Sequence, residues 1–268
     1  MTVKTSLPIT SDQRRQLRDF VNQAIAAAIK SIKLDSAGFQ RLISRGGEFL
    51  EYLKEGIRRF SAAAPDYALA RTILGKDFVS PEEVMATRKS VAYSEAQIAE
   101  LGRTLPSQEI LEWYRDHGYA LVPAPSTAQS LAEHHVLTPT DFREGNTWFL
   151  DPSQKFSHTD KTSPGWLAIK RTIVESSTSK TSDEQQLLLL NVERVPNAAE
   201  LHWFITVYHE VRNQWLFPNI HARTSSVDRD GAHVFVGGSG GRGPYVDGWY
   251  DLERGGRIGL AASRKFGN

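Results

Sequence analysis

The stretch NAAELHWFITVYHEVRNQWL, residues 197–216, predicts one packed helix. Asn197 and Glu200 stand at the spacing of a capping box, and the apolar and aromatic run that follows is typical of a helix in a core. Four short strands are predicted after it, over residues 220–226, 232–236, 245–250 and 257–261. This order predicts an α+β fold, with a mixed α/β domain that ends in a small antiparallel β-sheet.

Two glycine-containing stretches connect the predicted strands. Asp228–Gly231 fits a tight turn, because an Asp-Gly pair readily supplies positive φ angles. Residues 237–243, GGSGGRG, allow two interpretations. They form a hairpin loop, or their amides hold a phosphate with help from Arg242. The segment lacks the Gly-Lys-Ser/Thr ending and the following helix of a P-loop, which favours the hairpin loop.

Helix and strand signals also precede residue 197. Ser80, Ser94 and Thr181 stand at N-cap positions, with the helix after Thr181 expected to reach about Val192. Strands are predicted over residues 119–122, 147–150 and 166–174. The proline-containing stretch Pro123–Thr127 marks a possible sub-boundary within the domain, or a crossing inside it.

Two helices are predicted at the front of the chain, from about Ser11 to Ile32 and from about Ser36 to Ala63. The second carries a heptad-spaced apolar seam, interrupted by the Gly46-Gly47 pair, where a kink is expected. The members of that seam are Phe39, Ile43, Gly46, Leu50, Leu53, Ile57 and Phe60. We expect an antiparallel helical hairpin over residues 1–65, followed by an α+β domain over residues 66–268.

Charge and composition limit the partners and the location of the protein. Residues 1–65 carry 11 Lys and Arg against 6 Asp and Glu, although the net charge of the chain is only +1. This basic front is compatible with self-association or with an anionic partner through residues 11–63, and is short of a nucleic-acid signature. The chain has no long apolar run, no signal-peptide pattern and no cysteine. We therefore expect a soluble, cytoplasmic protein that does not bind the membrane.

Several blocks of the sequence resemble, in the same order, a family of uncharacterised bacterial proteins from uncultivated lineages. The resemblance covers roughly residues 70–268 and implies one evolutionary unit there, with no established activity, catalytic residue or cofactor. The blocks are ILGKDFVSPEEVM (73–85), TLPSQEILEWYRDHGYALVP (104–123), SPGWLAIKRT (163–172), EQQLLLLNVERVPNAAE (184–200) and the end, from HARTSSVD (221–228) through AASRKF (261–266).

Histidines are the first candidates for chemistry near neutral pH. His202 and His209 lie seven residues apart on one helical face, which is not the spacing of an HExxH metal site, so packing is favoured. His158 and Asp160 lie two residues apart in a polar stretch that we interpret as a loop, where they form the best small cluster. The spacings predict no metal site and no cofactor.

The aromatic residues Tyr245 and Trp249, together with Arg242, are candidate ligand-binding residues at the β-rich end. Helical patterning is strong and catalytic patterning is weak. The leading hypothesis is therefore a non-enzymatic binding or assembly protein, with a basic helical front and a β-rich recognition end. The alternative is a hydrolase or nuclease-like enzyme that uses the His158 and Asp160 loop, with His202 or His209.

Overall fold

A computed structural model of the chain describes residues 10–32, 35–61 and 67–264, with the side chains of residues 55–61 outside the description. The chain forms two compact units, Met1–Ser61 and Ala62–Asn268. We call them the helical unit and the main unit. The α+β class predicted from the sequence is confirmed.

The described part of the chain contains the following helices: α1 (Ser11–Ser31), α2 (Ser36–Ser44), α3 (Gly46–Ser61), α4 (Ala68–Leu74), α5 (Pro81–Thr87), α6 (Glu95–Arg103), α7 (Gln108–Asp116), α8 (Leu131–Leu137), α9 (Lys155–Thr159), α10 (Ser182–Gln186) and α11 (Ala198–Arg212). The strands are β1 (Tyr119–Pro123), β2 (Gln129–Ser130), β3 (Lys161–Thr162), β4 (Trp166–Lys170), β5 (Glu193–Arg194), β6 (His221–Val227), β7 (His233–Gly237), β8 (Tyr245–Trp249), β9 (Ile258–Leu260) and β10 (Ser263–Arg264). None of the described helices is both long and apolar enough to cross a membrane.

The helical unit consists of α1, α2 and α3. The predicted second helix is interrupted at Arg45, directly before the glycine pair where a kink was expected. No residue of α1 or α2 is buried, and the predicted seam is divided. Leu53 is half-buried, whereas Phe39, Ile43 and Leu50 are exposed. Residues 33–34 of the predicted hairpin turn, residues 62–63 at the predicted helix end, and the side chains of Ile57 and Phe60 lie outside the described residues.

Local capping signals set the start of helices in the main unit. Ser80, Ser94, Thr181 and Asn197 each accept a hydrogen bond from the backbone N–H three residues later, and the Glu or Gln at that position bonds back to the N-cap. These reciprocal bonds satisfy amides that a helix start would otherwise leave unpaired. All four predicted helix starts are confirmed.

Helix α11 is the centre of the main unit. Every residue from Ala198 to Tyr208 is buried, so the helix has no solvent face over three turns. It contacts β1 and β4 of one sheet and β6 and β7 of another, with α5 and α8 packed beside it. Its ends are fixed by polar contacts. Ser226 Oγ accepts from the Ala198 N–H (2.9 Å), and Asn213, in the left-handed conformation, terminates the helix.

Two four-stranded sheets and one two-stranded ribbon surround α11. The first sheet has the order β1–β4–β10–β5, the second β8–β7–β6–β9, and the ribbon pairs β2 with β3. Strand β1 ends at Pro123, and the Ala124 N–H then donates to the Gly165 carbonyl (2.8 Å). The stretch proposed as a sub-boundary thus begins in contact with the β4 side of the first sheet.

The terminal sheet is not wholly antiparallel, and this part of the prediction is wrong. Strand β9 pairs with β6 in parallel, in the register His221 to Ile258. The strand order places β9 on the edge opposite β8, so residues 250–257 cross the sheet instead of turning back as a hairpin. Asp251 in this crossing segment lies 3.7 Å from the buried guanidinium of Arg223 and 2.7 Å from His233 Nδ1.

Three element predictions between residues 147 and 192 need correction. Residues 148–150 form a 3₁₀ turn instead of a strand, because the Trp148 indole donates to the Val246 carbonyl while the adjacent Phe149 is also buried. Strand β4 ends at Lys170 and not at residue 174. Helix α10 ends at Gln186, since the following Leu188 and Leu189 pack against a small apolar cluster.

The burial of α11 predicts a large difference between two substitutions. We expect Phe204→Ala to lower the free energy of unfolding by about 3–5 kcal/mol, because Phe204 is fully buried in α11. Leu187→Ala is the matched control, since Leu187 is 85% exposed, and should change it by less than about 0.5 kcal/mol. Urea unfolding followed by circular dichroism measures both. Equal effects would contradict the central position of α11.

Candidate functional site

A cleft of about 910 Å³ opens in the main unit between α6 and α7. The segment joining these two helices forms one side of it, and residues near Pro125, Pro164 and Trp166 form the other. Arg264 of β10 completes the lining. The cleft therefore depends on elements that are far apart in the sequence.

The polar groups of the cleft wall are largely occupied by the protein itself. The Trp166 indole donates to the Leu101 carbonyl (2.9 Å), the Tyr93 hydroxyl to the Ala124 carbonyl (2.7 Å), and the Gln97 amide to the Ser126 carbonyl (2.6 Å). These bonds hold the rings in fixed positions and leave mainly apolar surface toward the opening. The wall thus suits the apolar part of a ligand.

Two groups of this wall have no such partner among the described residues: the buried Tyr114 hydroxyl and Arg264. The Arg264 guanidinium carbon lies 4.4 Å from the ring centroid of Trp113 and 5.9 Å from that of Tyr114. Among the residues that the structure describes, no carboxylate forms an ion pair with it. The other arginine of the lining, Arg103, is paired with Glu100 (2.5 Å). Arg264 therefore offers a cation that stacks on aromatic rings and keeps its hydrogen-bond donors available.

The carboxylate nearest to Arg264 in the sheet is already engaged. Glu193 is the register partner of Arg264 across β5 and β10, where opposite side chains lie on the same face. However, Glu193 accepts from the Tyr119 hydroxyl (2.5 Å) and from the Leu190 N–H (2.8 Å). Burial, and then the bond to Glu193, raise the pKa of Tyr119, so this phenol stays protonated and keeps donating at neutral pH.

The predicted loop pair, His158 and Asp160, lies apart from this cleft lining. His158 is exposed in the short helix α9, which replaces the loop expected from the sequence. The Asp160 carboxylate accepts from Ser226 Oγ (2.6 Å), which in turn accepts from the Ala198 N–H. Asp160 therefore belongs to a hydrogen-bonded chain that ends at the start of α11.

His202 is fully enclosed in the core. Its ring stacks on Phe142 (centroids 3.8 Å apart) and lies 6.2 Å from the ring of His134, which is also buried. The ring nitrogens of both histidines meet no partner at hydrogen-bond geometry within the described residues. Burial lowers the pKa of His202 well below its usual range, and the Asp141 backbone opposes this only in part. Both rings are neutral at neutral pH.

His209 occupies a third environment. Its ring stacks on Trp215 at 3.5 Å, and burial lowers its pKa despite the opposing charges of Glu210 and Asp141. Those two carboxylates both bind the buried guanidinium of Arg88, at 2.9 and 2.8 Å. Within the described ranges, no three His, Asp or Glu side chains are grouped so that they could hold a metal ion.

The predicted ligand-binding residues lie along β8 and in the glycine-rich loop before it. Arg242 is exposed in the loop. The Tyr245 hydroxyl donates to Asp247 (2.9 Å), and the Trp249 indole donates to the Glu253 carbonyl (3.2 Å). Tyr245 and Trp249 are the first and last residues of β8, so they lie about 13 Å apart and do not share one small site.

Comparisons with family models, with curated proteins and with solved structures found no match to this chain. The resemblance to a family of uncharacterised bacterial proteins thus stays a prediction. The function must be argued from the geometry of the residues.

Sequence reasoning missed the cleft as a site. Trp166 and Tyr114 look like ordinary core aromatics in the sequence, and Arg264 was not among the predicted site residues. The stacking of Arg264 on Trp113 joins positions about 150 residues apart in the chain. The 104–114 stretch, which contains several large apolar residues and Pro106, was the local signal in the sequence.

The buried histidines predict a measurable dependence of stability on pH. Burial lowers the pKa of His134 to about 3, with a further contribution from the charge of Arg88 and opposition from Glu133. Between this value and the ordinary histidine pKa of about 6.5, the unfolded chain binds a proton that the folded chain does not. Stability must therefore fall as the pH falls from about 6.5 toward 3.

We expect His134→Phe to reduce this loss by about 2 kcal/mol between pH 7 and pH 5, because the substituted side chain cannot take up a proton when the protein unfolds. His158→Phe is the matched control, since the His158 ring is exposed and should leave the slope unchanged. Urea unfolding at a series of pH values gives both slopes. A wild-type slope that survives His134→Phe undiminished would contradict a neutral, buried His134.

Proposed function

We propose that the main unit is a non-enzymatic binding module for a small amphipathic anion, with an apolar body and one carboxylate. The observation that carries this proposal is the Arg264 guanidinium, which lines an apolar cleft and has no carboxylate partner among the described residues. A cleft of about 910 Å³ falls within the range of known small-molecule sites, roughly 300–1,000 Å³.

The chemistry of the lining supports a carboxylate over a larger anion. A single guanidinium binds a carboxylate through two parallel hydrogen bonds, and its one positive charge balances the one negative charge of the carboxylate. Trp166 and Ile110 line the same cleft and offer apolar surface for the remainder of the ligand. The Trp113 and Tyr114 rings stack against the Arg264 guanidinium and leave its positive charge unneutralised.

The lining supports binding without chemistry. It includes no histidine, and its one acidic side chain, Glu100, is paired with Arg103. The Tyr93 hydroxyl is committed to the Ala124 carbonyl. Acyl transfer or hydrolysis needs a nucleophile beside a general base, and the described lining residues offer no such pair. The hydrolase alternative gains no support from the exposed His158 or from Asp160, which is bonded to Ser226.

A cytoplasmic, bacterial setting is part of the same proposal. Its support is the sequence, which contains no cysteine for disulfides and resembles a family of uncharacterised bacterial proteins. An intracellular metabolite with an apolar body and one carboxylate would fit that setting.

Paired ligands test the charge requirement of the cleft. We expect phenylbutyrate to bind at least about tenfold more tightly than the uncharged phenylbutyramide, because only the acid can pair with Arg264. Tryptophan fluorescence reports binding, since Trp166 lines the cleft and Trp113 lies under Arg264. Arg264→Gln should remove the preference for the acid.

Arg254→Gln is the matched control for this experiment. Arg254 is an exposed arginine that pairs with Glu184, and it is not part of the cleft lining. The same loss of charge should leave the preference intact. Equal affinity for the acid and the amide in the wild-type chain would reject the proposal.

The helical unit favours an assembly role, which we propose as self-association. Phe39, Ile43 and Leu50 are exposed large apolar residues at heptad-like spacing. A second copy of the same helices presents a matching row, as in other helical pairs. This proposal is independent of the cleft.

Light scattering on the full chain tests self-association. We expect wild type to be at least a dimer and Leu50→Asp to shift it toward the monomer, because a charge would be placed in the apolar row. Gln40→Asp is the control, since Gln40 is exposed in α2 but is polar already. A monomeric wild type, or equal dissociation by both substitutions, would reject the proposal.

A further inference from the structure

The glycine-rich loop and several arginine side chains lie at one end of the second sheet. Register pairs His221 with Gly237 on one side and with Ile258 on the other, and Gly237 in turn with Tyr245. The loop that joins β7 to β8, which was predicted as a hairpin loop, therefore lies at the same end as the start of β6 and β9. Arg257, directly before β9, reaches this end too.

Three arginines at this end have no ion pair with any described carboxylate: Arg143, Arg242 and Arg257. The guanidinium of Arg143 lies 4.9 Å from the Tyr245 ring centroid and donates to the Gly238 carbonyl (2.6 Å). Arg242 and Arg257 are exposed. Asp247, the acid closest to this group on β8, accepts from the Tyr245 hydroxyl and from the Gly248 N–H, both at 2.9 Å. The loop end thus carries net positive charge.

Buried polar atoms around the loop also lack partners. Ser239 is fully buried, yet its hydroxyl meets no hydrogen-bond partner among the described residues. The same is true of Arg143 Nε and His221 Nδ1, which are shielded from solvent. Ser239 Oγ and Arg143 Nε are donors, and buried donors are rarely left unpaired in proteins, so their position next to one loop favours a further acceptor there.

The glycines fix the loop against its neighbours. Gly238 has a φ of +59°, and a Cβ at this position would lie 2.6 Å from His221 Cε1. A Cβ on Gly243 would lie 3.0 Å from the Asp141 carbonyl oxygen. The loop is held tightly at both ends and turns over residues 240–242, while the amides of Gly240 and Gly241 donate to no acceptor in the described part of the chain. Successive free amides of this kind form anion sites.

We propose that this end of the sheet binds the phosphate group of a small phosphorylated ligand, through Arg143, Ser239 and the amides of Gly240 and Gly241. Arg242 and Arg257 add longer-range attraction. A tetrahedral oxyanion matches the surplus of donors here, whereas a single carboxylate would leave several of them unpaired. The site shares no residue with the Arg264 cleft, so either proposal can fail without the other.

Calorimetric titration of the full chain with inorganic phosphate, and with glycerol phosphate as a monoester, tests the site. We expect saturable binding of both, and tighter binding of the ester indicates that an organic phosphate is the natural ligand. Sodium chloride at matched ionic strength should not compete fully, because the fork of Arg143 and the loop amides recognise shape as well as charge.

Variants locate the binding. We expect Arg143→Gln to weaken phosphate binding at least about tenfold and Arg242→Gln about threefold. Arg229→Gln, at the opposite end of the same sheet in the β6–β7 turn, should leave it within about twofold. If circular dichroism shows that Arg143→Gln does not fold, the phosphate affinities of Arg242→Gln and Ser239→Ala test the proposal instead. Both substitutions should weaken phosphate binding.

Three results would overturn the proposal. The first is no saturable binding of either phosphate to the wild-type chain. The second is binding that chloride abolishes at equal ionic strength, which indicates general charge attraction. The third is equal weakening by Arg242→Gln and Arg229→Gln. Binding of phenylbutyrate in the Arg264 cleft should be unaffected by Arg143→Gln, so the two sites are scored separately.

Discussion

The complete burial of α11 is the constraint on which the main unit depends. A helix whose residues 198–208 are all buried cannot lie on a surface, so both four-stranded sheets and neighbouring helices must cover it. Several polar groups brought inside find partners there. The Trp203 indole donates to the Pro123 carbonyl, and the Ala198 N–H to Ser226.

The same burial explains why residues with chemical potential are structural here. His202 lies in α11 and loses its charge, while its ring packs against Phe142. Arg88 is brought under the same helix and stacks on Trp203 at 4.7 Å, and it is tolerated because Asp141 and Glu210 both bind it. The two candidate sites lie outside α11, in the α6–α7 cleft and at the loop end of the second sheet.

Sequence reasoning succeeded where the determinants are local. Capping pairs such as Asn197 with Glu200 and the Asp228–Gly231 turn act within four residues, so helix starts and the β6–β7 turn were predictable. Sequence reasoning failed where the structure depends on contacts between segments that are far apart in the chain. The parallel pairing of β9 depends on residues 250–257 crossing the sheet, and Trp148 leaves the strand conformation to reach Val246. The stacking of Arg264 on Trp113 and the approach of Arg143 to the glycine-rich loop have no local signal for the same reason.

The two candidate sites share one arrangement of side chains. In each, a tyrosine hydroxyl donates to a carboxylate that forms no ion pair with the arginine: Tyr119 donates to Glu193, the strand partner of Arg264, and Tyr245 donates to Asp247. Burial, and then the bond to the carboxylate, raise the pKa of both tyrosines, so each remains a donor at neutral pH. Each arginine lies over an aromatic ring instead of pairing with an acid. An arginine held in this way retains its charge and most of its donors, which is the condition that an anion-binding residue must meet before its ligand arrives.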